Sequence, residues 1–159
     1  MDEVTIALAI HVLAIVLWIG GVAMVTTVLL PALSRRPNPR EAFALFVTLE
    51  SGFAWQARLS TLFAGASGVY LATRLDFWPL FLSWNGWWLD AMVLVWLLFT
   101  LMLFVAEPLF LHRWLMLRAD RDPAGTLALV RTLHRVLLTL SLITVAGATL
   151  GSHGMSFGG

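Results

Sequence analysis

The sequence predicts an all-α integral membrane protein, a single domain over residues 1–159 folded as an up-down four-transmembrane-helix bundle. Hydrophobic residues make up 60% of the chain and charged residues only 12%, whereas soluble domains are about half apolar and a quarter charged. Apolar segments at 4–33, 53–73, 88–111 and 136–151 are each near the ~20 residues that a helix needs to cross a bilayer. The last one needs about a turn of its arginine-bearing start.

The turns between these segments carry recognisable signals. Asn38 has the side chain of an N-cap and Pro39 suits the first helical position. Residues 41–52 are amphipathic, so the second helix is expected to begin outside the hydrocarbon, and residues 120–123 mark another turn. Tryptophan collects at the membrane–water boundary, so the Trp-rich segment 76–88 is predicted to be an interfacial loop, with a cofactor role as the alternative.

Charge predicts orientation and excludes some partners. The ten basic residues are all arginines; three lie in the first linker and five in or beside the third, but only Arg74 marks the middle one. Positive charge marks the cytoplasmic side, which predicts a multi-pass protein of a bacterial inner (cytoplasmic) membrane with both termini outside. The net charge of +1 gives no case for nucleic acid, and the lack of cysteine removes thiolate metal sites. The lipid bilayer is the expected partner, and assembly as a homo-oligomer stays open.

Four histidines, His11, His112, His134 and His153, lie in or at the ends of the apolar segments. An ionisable residue at membrane depth indicates a functional site, and neutral imidazole is the commonest protein metal ligand. At 1.5 Å per residue, His11 and His153 lie roughly 10 to 13 Å outward of the midplane, and His112 and His134 roughly 15 Å inward. Such depth-matched pairs suit bis-histidine haem b.

Each histidine also has a simpler interpretation that the sequence leaves open. His112 stands beside Arg113 at a helix end, and His153 precedes a glycine-rich terminus, so both suit an interface. In the simpler interpretation, His11 and His134 are buried structural histidines whose ring nitrogens form a hydrogen bond with a serine or threonine hydroxyl.

An intramembrane ion pair is predicted between Arg58 and Glu107, at similar depths on the second and third spans. Pairing neutralises both charges, as the bilayer requires. The alternative gives Arg58 a cofactor contact, with a haem propionate or a quinone oxygen. Pro108 is expected to kink the third helix just before His112.

Other residues are candidates for lining a cofactor. Trp18 lies two turns after His11 on the same face, where it either flanks a cofactor or packs in the core. Ala64 with Gly68, and Gly147 with Gly151, have small-xxx-small spacing. Such faces allow close helix packing and equally allow a flat porphyrin to lie against the backbone.

The first helix resembles a known family. Residues 11–21 read HVLAIVLWIGG and Pro31 follows, which resembles the opening helix of the CopD-like copper-resistance membrane proteins and, more weakly, of the HemJ-type membrane protoporphyrinogen oxidases. Residues 58–60, followed by Gly68, are similar to the next element of the CopD-like pattern. The resemblance to the oxidases implies that His11 ligates haem b.

Three functions follow as hypotheses. The first is a membrane b-type cytochrome with one or two haems, either an electron carrier or a quinone-linked oxidoreductase, exchanging electrons with quinol or a redox protein partner. The second is copper transport or binding of the CopD type, since His153 and Met155 offer imidazole and thioether ligands. The third is a structural subunit without a cofactor.

Overall fold

The computed structural model describes residues 2–152, and these fold into helices with no β-strand. Its long helices are α1, Glu3–Ser34; α2, Pro39–Arg74; α3, Trp84–Arg121; and α4, Pro123–Ser152. The prediction of an all-helical chain is confirmed. Three helices, α1, α3 and α4, are long and apolar enough to cross a membrane.

Helix α2 begins where the sequence predicts, well before its apolar part. The Asn38 side chain accepts a hydrogen bond from the Arg40 backbone N–H at 3.1 Å, and Pro39 occupies the first turn. Proline suits this position because the first N–H groups of a helix have no intrahelical acceptor. Helix α4 begins similarly, since the Asp122 carboxylate accepts from the Gly125 backbone N–H at 2.8 Å.

Two of the helices contain π-helical stretches next to a proline. In α1 the stretch Val25–Leu29 precedes Pro31, and in α3 the longer stretch Met102–Leu111 contains Pro108. Proline removes a backbone donor and its ring clashes with the preceding turn of an α-helix. The wider π-helical turn accommodates both effects without ending the helix.

Two clusters of buried side chains form the core. One joins the facing ends of α1 and α2 to α3 and α4, and it includes Leu30, Phe46 and Val130. The other lies around Trp18 and Phe99, whose rings pack edge to face at 4.8 Å between centroids. Many large apolar side chains remain exposed elsewhere on the helices, which is consistent with contact to a lipid bilayer.

The segment between α2 and α3 and the first residue of α3 expose large apolar side chains. A 3₁₀ turn, Trp78–Leu80, precedes Leu82 and Trp84, which are 95% and 94% exposed. Leu82 has a positive φ of 58°, and the Asp90 carboxylate accepts its backbone N–H at 3.1 Å. This conformation is uncommon for a bulky residue, and the Asp90 hydrogen bond helps to hold it.

Candidate functional site

The predicted ion pair between Arg58 and Glu107 is present and joins α2 to α3. Arg58 Nε also donates to the Leu103 carbonyl at 3.1 Å. In a π-helix the residue five positions later would donate to this carbonyl, and that residue is Pro108, which has no N–H. Arg58 therefore supplies the donor that Pro108 lacks while it neutralises Glu107. These contacts explain Arg58 structurally, without a cofactor.

His11 is held in the contact between α1 and α2. Its Nδ1 lies 3.0 Å from the Ala64 carbonyl oxygen and 3.0 Å from Ser67 Oγ. Because the Ser67 hydroxyl donates to the Phe63 carbonyl at 2.5 Å, the Nδ1 atom carries the proton and donates. The ring lies against Gly68, where a Cβ atom would come 3.2 Å from His11 Cε1. The absence of a side chain at Gly68 therefore leaves space for the His11 imidazole.

His134 shows the same anchoring on α4. Its Nδ1 lies 3.0 Å from the Val130 carbonyl oxygen one turn earlier, and its ring packs edge to face on Phe46. A carbonyl accepts only, so Nδ1 donates here too. In both residues Nε2 is left with its lone pair and faces away from the anchoring carbonyl. A ring N–H that donates to a backbone carbonyl in this way is common in histidines that ligate metals.

The two anchored histidines lie at different levels. His11 is level with residues 64–67 of α2. The Thr26 hydroxyl of α1 contacts the His134 backbone carbonyl at 3.5 Å, so His134 is level with Thr26. Along α1, residues 11–26 span roughly 22 Å. One iron therefore cannot take both histidines as axial ligands.

The other two predicted ligands, His112 and His153, are not among these anchored histidines. His112 is exposed on α3, and it does not line the cavity beside His134. His153, like Met155 of the copper hypothesis, lies outside the described residues. The proposed pairs His11 with His153 and His112 with His134 therefore stay predictions. Within residues 2–152, no group of three or more histidine and carboxylate side chains is placed to hold a metal ion.

A cavity of about 100 Å³ lies between the two core clusters and is partly open at one side. All four helices contribute to its walls, which are apolar apart from a few side chains: Trp18, Glu50, Glu107 and His134. The aromatic rings of Phe46, Phe53 and Phe99 also face it.

Two of the polar groups at the cavity have no partner within the described part of the chain. Trp18 is only 4% exposed, and its indole N–H finds no acceptor there. Glu50 precedes the predicted span 53–73, and no hydrogen bond or ion pair is seen for its half-buried carboxyl. Burial, and secondarily the charge of Glu107, raises the pKa of Glu50 to about 7.

The cavity was only partly foreseeable from the sequence. Trp18 was predicted either to flank a cofactor or to pack in the core, whereas Glu50 was predicted only to belong to the amphipathic segment 41–52. Its signal was the spacing of Phe46, Glu50, Phe53 and Ala57, which places a carboxyl on the apolar face of α2.

Gly147 and Gly151 lie on α4 where tryptophan rings from α3 pack. A Cβ atom at Gly147 would meet the Trp87 ring, and one at Gly151 would meet the Trp88 ring. These small residues allow close packing of α3 against α4, which is one of the two interpretations that their spacing offered.

Comparison of the chain with models of known protein families, with curated proteins and with solved structures found no match.

Proposed function

We propose that the chain is a membrane b-type cytochrome that exchanges electrons with a quinol or a redox protein partner. The observation that carries this proposal is the state of the two buried histidines. Both have Nδ1 bound to a backbone carbonyl, so in the neutral ring the free lone pair is on Nε2, the form in which imidazole ligates iron. Haem supplies a one-electron redox centre when it is bound.

The two histidines fit a haem to different degrees. At His11 the donor chemistry fits, and Gly68 leaves room for the imidazole. At His134 the donor chemistry fits as well, but the adjoining cavity of about 100 Å³ is below the roughly 300 to 1,000 Å³ of cofactor pockets. We assign the haem of this proposal to His11, the ligand that the resemblance to the oxidases implies, with His153 as its predicted second ligand, and none to the cavity.

The arrangement in the membrane is part of the same proposal: four helices crossing up and down a bacterial inner membrane, with both termini outside. Contacts between opposite ends of neighbouring helices support it. Glu3 pairs with Arg74 at 2.8 Å, and Trp88 packs on Gly151. Helix α2, the least apolar of the four, is compatible with the bilayer because Glu107 pairs with its Arg58.

Absorption spectra of single histidine variants test the assignment. The wild-type protein, purified in detergent, is expected to be red with a low-spin Soret band. His11→Ala is expected to lose the band, whereas His112→Ala, a change at an exposed position, is expected to keep it. A colourless wild-type protein, or a full Soret band in His11→Ala, would refute the proposal.

A further inference from the structure

Two arginines near the inner end of α4 have no part in the proposed function. Arg131 and Arg135 are one turn apart on this helix, so their side chains share one stripe of its surface. Within residues 2–152 neither guanidinium forms an ion pair, and α4 contains no acidic residue. Like charges at this spacing repel each other, so an anion placed between them would be held by both.

The depth of the two arginines matches the headgroup layer of the inner leaflet. With His134 roughly 15 Å inward of the midplane, Arg135 is roughly 13 Å inward and Arg131 roughly 20 Å inward. The hydrocarbon of a bilayer ends roughly 15 Å from the midplane, and the headgroups extend to roughly 20 to 22 Å. The pair therefore brackets the level at which lipid phosphates lie.

The two guanidinium groups differ in how they are held. Arg131 is half-buried, and its Nε atom is buried without an acceptor within the described part of the chain. Protein atoms therefore cover the base of this guanidinium, and its terminal nitrogens are left for a ligand. Arg135, nearer the midplane, is exposed. Arginine hydrogen-bonds phosphate oxygens through paired N–H groups, so one phosphate can accept from both residues.

An open hollow begins beside Arg135 and continues along α4 towards the bilayer centre. Its volume is about 250 Å³, and it is lined by Arg135, Val136, Thr139 and Leu140. The exposed Val136 and Leu140 side chains offer apolar surface to an acyl chain. The Thr132 hydroxyl, two turns earlier, donates to a backbone carbonyl at 3.0 Å, whereas no hydrogen bond of the Thr139 hydroxyl is seen within residues 2–152. Thr139 can therefore donate to an ester oxygen of a lipid.

We propose that the inner end of α4 binds an anionic phospholipid, with its phosphate between Arg131 and Arg135 and an acyl chain in the hollow at Val136 and Leu140. Basic surfaces at the cytoplasmic ends of membrane helices attract anionic headgroups. A zwitterionic headgroup would bring a third positive charge to the two arginines, so the site selects a lipid with net negative charge. The inference requires that α4 crosses the membrane, as the proposed function has it, and it does not require haem.

Native mass spectrometry of the purified full-length protein tests the site, because it counts the lipids that stay bound after release from detergent micelles. We expect dioleoylphosphatidylglycerol to bind about tenfold more tightly than dioleoylphosphatidylcholine. Arg131→Gln and Arg135→Gln each remove charge-assisted hydrogen bonds to the phosphate and are expected to weaken phosphatidylglycerol binding about tenfold. Arg121→Gln, the same change at the exposed last residue of α3, is the matched control and is expected to bind as the wild type does.

Two further comparisons separate this site from the general charge of the inner face. Arg135→Lys keeps the charge and loses the paired N–H groups, so its affinity should fall between those of the wild type and Arg135→Gln. Glycerol 3-phosphate has the phosphate without acyl chains and is expected to bind about tenfold more weakly than the lipid. Equal binding of the two phospholipids, equal losses in Arg121→Gln and Arg135→Gln, or wild-type affinity in Arg135→Lys would overturn the proposal, as would glycerol 3-phosphate binding as tightly as the lipid.

Haem per chain, measured on the same samples, distinguishes this inference from the proposed function. Selective phosphatidylglycerol binding by a protein without haem would refute the cytochrome and retain the lipid site. Haem in a protein that does not discriminate between the two phospholipids would refute the lipid site alone.

Discussion

At the scale of single residues, the informative feature is how the buried polar atoms are satisfied. Histidine was expected to be the functional residue because it is ionisable in apolar segments, and the structure adds which nitrogen is available. The backbone carbonyls of Ala64 and Val130 fix the protons on Nδ1 of His11 and His134. Sequence alone does not reveal this for His11, because the Ala64 carbonyl belongs to another helix.

Glu50 gives a prediction about pH. Its pKa is raised to about 7, above the ordinary value near 4.5, so the folded state holds this proton more tightly than the unfolded state. The resulting stability is fully present below about pH 4.5 and is lost as the pH rises through 7. The Glu50→Gln variant is neutral throughout, so at pH 8 we expect it to be more stable than the wild type by up to about 3 kcal/mol.

The measurement is the melting temperature in detergent between pH 5 and pH 8. The groups that share the cavity with Glu50 are Glu107, with its partner Arg58, and His134. Wild type and Glu41→Gln, the same change on the exposed side of α2, should show the same decline with rising pH, and Glu50→Gln a smaller one. Parallel curves of melting temperature against pH for all three proteins would show that the pKa of Glu50 is not raised.

At the scale of the helices, the residues at which α2 begins were predictable from the sequence, whereas the π-helical geometry inside α3 was not. The Asn38 cap and Pro39 mark the start of α2 as expected, because a cap depends on residues that are neighbours in sequence. The π-helical stretch Met102–Leu111 was expected only as a kink at Pro108. Its geometry depends on a donor from α2, the Arg58 guanidinium, which no local pattern reveals.

The dependence of α3 on Arg58 is testable with a double-mutant cycle. Arg58→Ala leaves the Leu103 carbonyl and the Glu107 carboxylate without their donor, which costs several kcal/mol as a rough guide. Pro108→Ala restores a backbone N–H to α3, so Arg58→Ala should be less damaging in that background. The folded fraction after purification measures both effects.

A second double-mutant cycle tests the ion pair between Arg58 and Glu107. Glu107→Ala and Arg58→Ala each leave a partner unpaired, so the double variant should lose less folded protein than the two single losses combined. Additive losses in both cycles would contradict the structural role assigned to Arg58.

At the scale of the whole molecule, composition alone predicted a helical membrane protein, and the helices confirm the coarse part of that prediction. The arrangement of the helices rests on side chains that meet from distant parts of the sequence, such as Trp18 with Phe99 and Trp88 with Gly151. The cavity is likewise formed by side chains from distant parts of the sequence. Its carboxyl, indole and imidazole come from three different helices, so their convergence was not visible in any one segment.

Topology is the prediction at this scale. The arginine-rich linkers predict that residues 38 and 121 face the cytoplasm. Fusions of a reporter that is active only in the cytoplasm should therefore be active at both positions, and inactive after residue 80 in the loop between α2 and α3. An active fusion at the C-terminus would contradict the four-span arrangement, since an odd number of crossings places the two termini on opposite sides.

The proposed ligation of haem b by His11 is the step on which the proposed function depends. It is tested most directly by the pyridine haemochrome assay, which gives haem per chain for the wild type and for His11→Ala, each purified after growth with excess haem precursor. We expect about one haem b per chain in the wild type and close to none in a folded His11→Ala protein. Equal haem in the two proteins, or no haem in either, would contradict it.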